Sequence, residues 1–174
     1  MTEKVAVITG SGDGLGKGIA QRLAQDGFRI VLSDINAATL EKTEAEFKSA
    51  GQAVTAFRGD VSRREDQFAL VQHAVQAFGR IDVFVNNAGI EDVMPLDKVT
   101  AADFDRVFGI NVKGVLFGIQ AAAEQMKKQG GDRICKIINA ASIAAHESYD
   151  LLGVYCASKH AVRSLTVTAA KELA

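Results

Sequence analysis

Short apolar runs rich in β-branched residues alternate along the chain with longer segments whose apolar residues recur every three to four positions. The first pattern is typical of buried β-strands and the second of amphipathic α-helices. Strands separated by single helices pair in parallel through right-handed crossovers. The pattern therefore predicts an α/β fold of Rossmann type, a doubly wound parallel sheet with helices on both faces.

The pattern places five strands and five helices. The strands are expected at residues 5–9, 29–34, 53–58, 83–85 and 134–140. The helices are expected at residues 15–26, 36–51, 62–79, 100–128 and 153–172. Neither a repeat nor a linker interrupts this order, so residues 1–174 are expected to form one domain.

Local signals mark several helix ends. Asn36 is predicted to cap the second helix and Thr100 the fourth. Ser62-Arg63-Arg64-Glu65 has the spacing of a capping box and is predicted to open the third helix. Gly109 and Asn111 are expected to interrupt the long fourth helix.

Composition narrows the choice of partners and location. The net charge is −1, which gives no electrostatic attraction to nucleic acid or to an anionic membrane. We see neither a signal peptide nor an apolar run long enough to span a membrane. The two cysteines, Cys135 and Cys156, form no CxxC pair, so we expect reduced thiols in a cytoplasmic protein without a metal site.

The first strand leads into a glycine-rich turn and then a helix. Glycines there permit a tight turn, and they let backbone N–H groups and the positive helix N-terminus approach a pyrophosphate. The spacing differs from a strict GxGxxG, and the alternative is a merely flexible turn. We predict a dinucleotide site in this turn, with contacts from Gly10, Ser11, Gly14, Leu15 and Gly16.

Residues after the next three strands extend this predicted site. Asp34 ends the second strand, at the position of an acid that accepts hydrogen bonds from ribose hydroxyls. Its carboxylate would repel a 2′-phosphate, which favours NAD(H) over NADP(H). The remaining predicted contacts are ordinary turn residues if taken alone, and they are Ile35, Asp60, Val61, Asn87, Ala88 and Gly89.

A candidate catalytic pair lies on the last helix. Tyr155 and Lys159 stand four residues apart, so both side chains share one helix face. A nearby cation favours the ionised form of a phenol, which makes tyrosine usable as a general acid or base. Ser142, after the fifth strand, could donate a hydrogen bond to the same substrate oxygen. The alternative for such a pair is an amphipathic surface helix.

In this order the motifs resemble the short-chain dehydrogenase/reductase family. The similarity covers the glycine turn, Asn86-Asn87-Ala88-Gly89, Asn111 within Ile110-Asn111-Val112, Ser142 within Asn139-Ala140-Ala141-Ser142, and the Tyr155/Lys159 pair. The resemblance implies a sheet order of 3-2-1-4-5 for these strands. Family members continue beyond this point with sixth and seventh strands and a substrate-covering segment, so an open edge is expected on the fifth strand.

The resemblance also implies roles for the site residues. Tyr155 would exchange a proton with the substrate oxygen, and Ser142 would orient that oxygen. Lys159 would hold the nicotinamide ribose and favour the ionised form of Tyr155. Asn111 would hold a water in the proton relay. Tyr155 and Lys159 would thus also contact the cofactor, which supplies the hydride.

Two segments, residues 114–122 and 159–166, are similar to the NAD-linked acetoin/diacetyl reductase and 2,3-butanediol dehydrogenase branch. This similarity implies reduction of a small ketone such as diacetyl or acetoin, or oxidation of the corresponding alcohol or diol. A sugar alcohol and a 3-oxoacyl thioester are alternative substrates, and residues 143–153 should line the pocket. A catalytically incomplete NAD-binding protein is a further alternative.

Two expectations concern the rest of the molecule. By resemblance, a homo-oligomer is expected to form through the helices at 100–128 and 153–172. The segment Asp132-Arg133-Ile134-Cys135 looks longer than the family's usual approach to the fifth strand, so a distorted loop is expected there.

Overall fold

A computed structural model describes residues 3–131 and 134–174. Its five strands form one sheet, all parallel, in the order β3-β2-β1-β4-β5. This arrangement confirms the predicted fold class and strand order. The strands are β1 (Val5–Thr9), β2 (Arg29–Asp34), β3 (Val54–Arg58), β4 (Val83–Asn86) and β5 (Lys136–Asn139).

Helices cover both faces of the sheet, as the crossover connections require. Helices α1 and α2 pack on one face, and α3 and α5 pack on the other, where α6 lies against α5. The helices are α1 (Gly14–Gln25), α2 (Ala37–Ser49), α3 (Arg64–Phe78), α4 (Ala101–Phe108), α5 (Gly114–Gln129) and α6 (Gly153–Leu173). Within residues 3–131 and 134–174, no helix has the length and apolar character that crossing a bilayer demands.

The central strand β1 divides the core into two halves. Its side chains alternate between faces, so Val5 and Val7 join the α3/α5 side while Ala6 and Ile8 join the α1/α2 side. All four are 0% exposed. A strand buried on both faces needs a continuous apolar sequence, and that is what the chain supplies at this position.

The start of the third helix differs from its prediction. The predicted capping box is wrong, because Arg63 occupies the N-cap and makes no side-chain capping bond. The Ser62 hydroxyl instead donates to Asp60 Oδ1 over 2.7 Å. Asp66 accepts from the Asp60 amide over 2.9 Å. Asp60, after β3, therefore accepts the hydrogen bond of the Ser62 hydroxyl, which the spacing predicts as a cap of the helix.

The fifth strand is shorter than predicted, since it runs only from Lys136 to Asn139. The expected loop distortion at Asp132 and Arg133 lies outside the described residues. Within the described chain, no strand pairs with the outer side of β5. An open cleft of about 770 Å³ runs beside this edge, between α5 and α6.

The predicted interruption of the fourth helix is a π-helical turn over Gly109–Lys113. The Gly114 amide bonds to the Gly109 carbonyl, so one extra residue enters the turn without breaking the helix. A Cβ at Gly114 would lie 2.9 Å from Val61 Cγ2, so only glycine allows this approach. The turn leaves Asn111 1% exposed and directed into the protein.

Candidate active site

The glycine turn between β1 and α1 is closed by backbone contacts. Gly10 has φ +64°, a conformation that glycine adopts without strain. A Cβ at Gly16 would overlap the Gly10 carbonyl and lie 2.6 Å from Asn87 Nδ2. The turn therefore brings the start of α1 against the backbone of β1, with the N-terminal N–H groups of α1 at the carboxyl end of the sheet.

Ser11 is used inside this turn. It is 0% exposed, its hydroxyl donates to the Ile8 carbonyl over 2.8 Å, and it accepts from the Ser33 amide over 2.9 Å. Its own amide donates to the Ser33 carbonyl over 3.0 Å. These bonds tie the turn to β2. The assignment of Ser11 as a cofactor contact stays a prediction.

The loop after β4 clamps the same turn. The Asn87 side-chain amide donates to the carbonyls of Thr9 and Gly10 over 3.0 and 3.1 Å. The Ala88 amide donates to the Thr9 hydroxyl over 3.1 Å. Two predicted parts of the site, separated by 77 to 79 residues in sequence, are thus joined directly.

Asp34 is fixed at the end of β2 by two backbone amides. Its Oδ2 accepts from Gly12 over 2.9 Å, and its Oδ1 accepts from Asn36 over 3.0 Å. Its strand partner Arg58 donates to the Ile35 carbonyl over 3.2 Å. Sequence reasoning did not include Arg58, because only the sheet register brings this cation beside Asp34.

A pocket of about 400 Å³ connects these residues. Its lining includes every predicted cofactor contact except Ser11, Gly14, Tyr155 and Lys159. The lining adds three residues that sequence reasoning missed, because no local motif marks them. The full lining consists of Gly10, Leu15, Gly16, Asp34, Ile35, Gly59, Asp60, Val61, Asn87, Ala88, Gly89, Ile90 and Ile110.

Lys159 joins the last helix to the end of β5. It is 6% exposed, and its Nζ donates to the Ala140 carbonyl over 2.8 Å. Burial lowers the pKa of Lys159, because desolvation disfavours the ammonium form. The same Nζ lies 5.6 Å from the centroid of the Tyr155 ring, which confirms that the two side chains share one helix face.

Asn111 and Lys159 both lie beside Gly89, a residue that lines the pocket. The Asn111 Nδ2 donates to the Ile90 carbonyl over 2.8 Å, and the Ile90 amide donates to Asn111 Oδ1 over 2.9 Å. A Cβ at Gly89 would lie 3.3 Å from Asn111 Oδ1 and 3.6 Å from Lys159 Nζ. The two predicted catalytic side chains therefore both lie close to Gly89, a residue of the pocket wall.

Ser142 lies just beyond β5 and caps a short 3₁₀ turn, Ile143–Ala145. Its hydroxyl accepts from the Ala144 amide over 3.2 Å, and the turn packs on α6. Tyr155, in the first turn of α6, is half-buried, as is Ser142. The residues predicted for proton transfer thus gather at one end of the sheet.

The segment between Ser142 and α6 is largely exposed. Ile143 and Leu151 present apolar side chains that are 65% and 50% exposed. The Tyr149 hydroxyl donates to Glu147 over 2.9 Å, and this hydrogen bond raises the pKa of Tyr149. Met94 donates its amide to the Leu151 carbonyl over 2.9 Å, which holds this segment against the loop after β4.

Comparison with known proteins gives the same family as the motifs. A diacetyl reductase [(S)-acetoin forming] from Staphylococcus epidermidis is 58% identical over 171 residues. That match covers 98% of this chain and 66% of the relative. The chain thus spans slightly less than two thirds of the length of this curated relative.

Two solved structures share the fold closely. A short chain dehydrogenase/reductase from Burkholderia phymatum in complex with NAD superposes with a TM-score of 0.92 at 40% identity, covering 95% of this chain and 58% of that one. An NAD⁺-bound xylitol dehydrogenase superposes with a TM-score of 0.92 at 36% identity, covering 98% and 65%. The family model described as short chain dehydrogenase matches residues 4–174. With its glycine turn, Asn111, Ser142 and the Tyr155/Lys159 pair in place, the chain belongs to the short-chain dehydrogenase/reductase family.

Proposed function

We propose that this chain is an NAD(H)-dependent oxidoreductase that reduces a small ketone such as diacetyl or acetoin, or oxidises the alcohol in reverse. One observation carries the proposal. The pocket that includes the glycine turn also includes Gly89, and Asn111 Oδ1 and Lys159 Nζ both lie close to that residue. A bound dinucleotide would therefore reach from the helix N-terminus to the proton-transfer residues.

The residues present fit such a cofactor. The pocket volume of about 400 Å³ lies in the range of ligand sites. The turn offers glycine backbone and a helix N-terminus for the pyrophosphate. Asp34, already oriented by two amides, has lone pairs left for the adenosine ribose hydroxyls. The carboxylate supports NAD(H) as the preferred cofactor, with Ile35, Asp60 and Val61 around the adenine.

Four side chains carry out the proposed proton transfer. When bound, the nicotinamide supplies or accepts the hydride. Tyr155 passes the proton to or from the substrate oxygen, and the Ser142 hydroxyl polarises that oxygen. Lys159, a cation held against Ala140, stabilises negative charge on the Tyr155 oxygen. Asn111 retains one acceptor lone pair on Oδ1 that can hold a water for the proton relay.

The surface before Tyr155 supports a small ketone as substrate. Ile143 and Leu151 expose apolar side chains there. Such side chains suit the methyl groups of diacetyl better than the hydroxyls of a sugar alcohol, since hydroxyls need hydrogen-bond partners. The (S)-acetoin-forming diacetyl reductase at 58% identity supports the same choice.

Turnover tests this proposal through the chain's two tyrosines. With NADH and diacetyl, Tyr155→Phe should abolish turnover because the phenyl ring has no proton to exchange, while NADH binding persists. Tyr149→Phe is the matched variant, and it should retain a measurable kcat because its hydroxyl is bonded to Glu147. Turnover that survives in Tyr155→Phe would remove Tyr155 from its role.

A catalytically incomplete NAD-binding protein is a second candidate. The observation that favours it is the open end of the site: within the described residues no strand pairs with the outer side of β5, and Ile143 and Leu151 are exposed before α6. This candidate predicts that the folded chain binds NADH yet turns over none of diacetyl, acetoin, sorbitol or an acetoacetyl thioester. Turnover of any member of this panel rejects it and identifies the substrate class at the same time.

We further propose a cytoplasmic homo-oligomer. The scarcity of cysteine and the absence of a CxxC pair support a reducing compartment. On α4, Phe104 is 43% exposed and stacks on Phe108 with ring centroids 4.2 Å apart. Phenylalanine is among the residue types enriched at interfaces between subunits. Sedimentation velocity should report a species larger than one chain, and a monomer at high micromolar concentration would reject the oligomer.

A further inference from the structure

Ser158 lies on α6 between Tyr155 and Lys159, and the proposed mechanism gives it no role. It is 0% exposed. Its hydroxyl donates to the Tyr155 carbonyl over 2.7 Å and accepts from Asn111 Nδ2 over 3.0 Å. This single hydroxyl therefore links the helix that carries the tyrosine to the π-helical turn that carries the asparagine.

Ser158 completes the hydrogen bonding of the Asn111 amide. Asn111 Nδ2 has two protons, and their acceptors are the Ile90 carbonyl and the Ser158 hydroxyl. Without the hydroxyl, one buried N–H would lose its partner, which is costly away from water. The Asn111 side chain would then be held only by its two hydrogen bonds with Ile90 and would no longer be tied to α6.

We propose that Ser158 is a positioning residue of the proton-transfer site, acting through Asn111. The hydroxyl holds the asparagine amide against α6. Asn111 Oδ1 therefore keeps its place beside Gly89, where Lys159 Nζ also lies. The inference rests on the proposed function, because it assigns Ser158 to the same proton relay.

The same helix provides a matched control. The Thr166 hydroxyl donates to the Val162 carbonyl over 2.7 Å and accepts from Asn139 Nδ2 over 3.0 Å. This repeats the bonding pattern of Ser158, with an asparagine that has no part in the proposed relay. Ser158→Ala and Thr166→Val each remove one hydroxyl with little change in volume. Thr166 is half-buried, so Thr166→Val reports the loss of such a hydroxyl on the same helix away from the proposed relay.

A double-mutant cycle on NADH-dependent diacetyl reduction tests the inference. Ser158→Ala should lower kcat by about threefold to tenfold, the effect of one neutral hydrogen bond, and leave the KM for NADH unchanged. In an Asn111→Ala background, Ser158→Ala should lower kcat no further, because the asparagine through which Ser158 acts is absent. Thr166→Val should leave kcat unchanged. An equal loss in both backgrounds, or no loss in the first, overturns the inference.

A second measurement separates this inference from the proposed function. The side-chain amide of Asn111 can be followed by ¹⁵N NMR in the folded chain without any turnover. In Ser158→Ala one of its two proton resonances should shift and exchange faster, whereas Thr166→Val should leave both in place. If the wild-type chain reduces no ketone but the Asn111 resonances respond to Ser158→Ala, the proposed function fails while the positioning of Asn111 by Ser158 stands. If Ser158→Ala leaves both Asn111 resonances unchanged, the positioning role is rejected, whether or not the chain reduces a ketone.

Discussion

The centre of the sheet at β1 and its edge at β5 differ in how completely they are buried. Ile8, Val85 and Ile138 form one row across β1, β4 and β5, on the face that carries α1 and α2. Their exposed fractions are 0%, 3% and 48%. An isoleucine is thus fully buried at β1 and half exposed at β5, although both positions lie in the same row.

The two parts of the site rest on these different supports. The glycine turn follows β1 and Asp34 ends β2, and the interiors of both strands are fully buried. Ser142 and the anchor of Lys159 at Ala140 follow β5, the exposed edge. We call β1, β2 and the site residues at their carboxyl ends the closed half, and β5 with the residues that follow it the edge half. The comparison implies that the proposed cofactor binding depends on the closed half, while the proposed proton transfer depends on the positioning of β5.

The row itself provides the test with the largest expected effect. Ile8→Ala should destabilise the fold by about 2–5 kcal/mol, because it removes a fully buried side chain and leaves a cavity. Ile138→Ala should cost less than about 1 kcal/mol, since its side chain is half exposed. Urea unfolding measures both, and equal losses would show that the two ends of the row are packed alike.

Two glycines of α1 test the closed half at the cofactor turn. Gly16→Ala should lower the free energy of unfolding by about 1–3 kcal/mol and weaken NADH binding, because its Cβ would overlap the Gly10 carbonyl. Gly18→Ala is the matched control, as a Cβ there meets nothing within 4 Å, and it should stabilise the helix by up to about 1 kcal/mol. If Gly16→Ala binds NADH normally, the turn is not the tight contact that we describe.

Lys159 tests the edge half through pH, with the smallest effect. Burial lowers its pKa in the folded protein from the ordinary 10.5, so between the two values the unfolded chain binds more protons. The free energy of unfolding should therefore rise with pH in this window.

Substitution isolates this contribution. Urea unfolding over a pH series should show a weaker rise in Lys159→Met than in the wild type. Lys171→Met, an exposed position on the same helix, should keep the wild-type rise. Identical profiles for all three proteins would mean that the folded protein does not disfavour the charged form of Lys159.

Much of this arrangement is predictable from sequence because local patterns reflect it directly. The apolar runs place β1 and β2 to the residue, and the caps at Asn36 and Thr100 are confirmed by side-chain bonds to their helices. Ordered motifs then identify residues of the pocket wall. These features depend on neighbours in the chain, so the sequence carries them.

Other features depend on tertiary contacts that no local pattern reveals. Ser62 has the spacing of a cap, but Asp60 competes for its hydroxyl. Ile90 and Ile110 line the pocket because Asn111 fastens the loop after β4 to the π-helical turn. Arg58 stands beside Asp34 only through strand register. In each case a long-range hydrogen bond or pairing decides the outcome.

The central claim is that the closed half forms an NAD(H) site centred on the glycine turn and Asp34. Fluorescence titration of the folded chain with NADH and NADPH tests it most directly. The wild type should prefer NADH, and Asp34→Ala should weaken NADH by about tenfold or more and NADPH much less, since the substitution removes the carboxylate and keeps its cationic strand partner Arg58. A folded wild type that binds neither cofactor, or an unchanged preference in Asp34→Ala, would contradict the account.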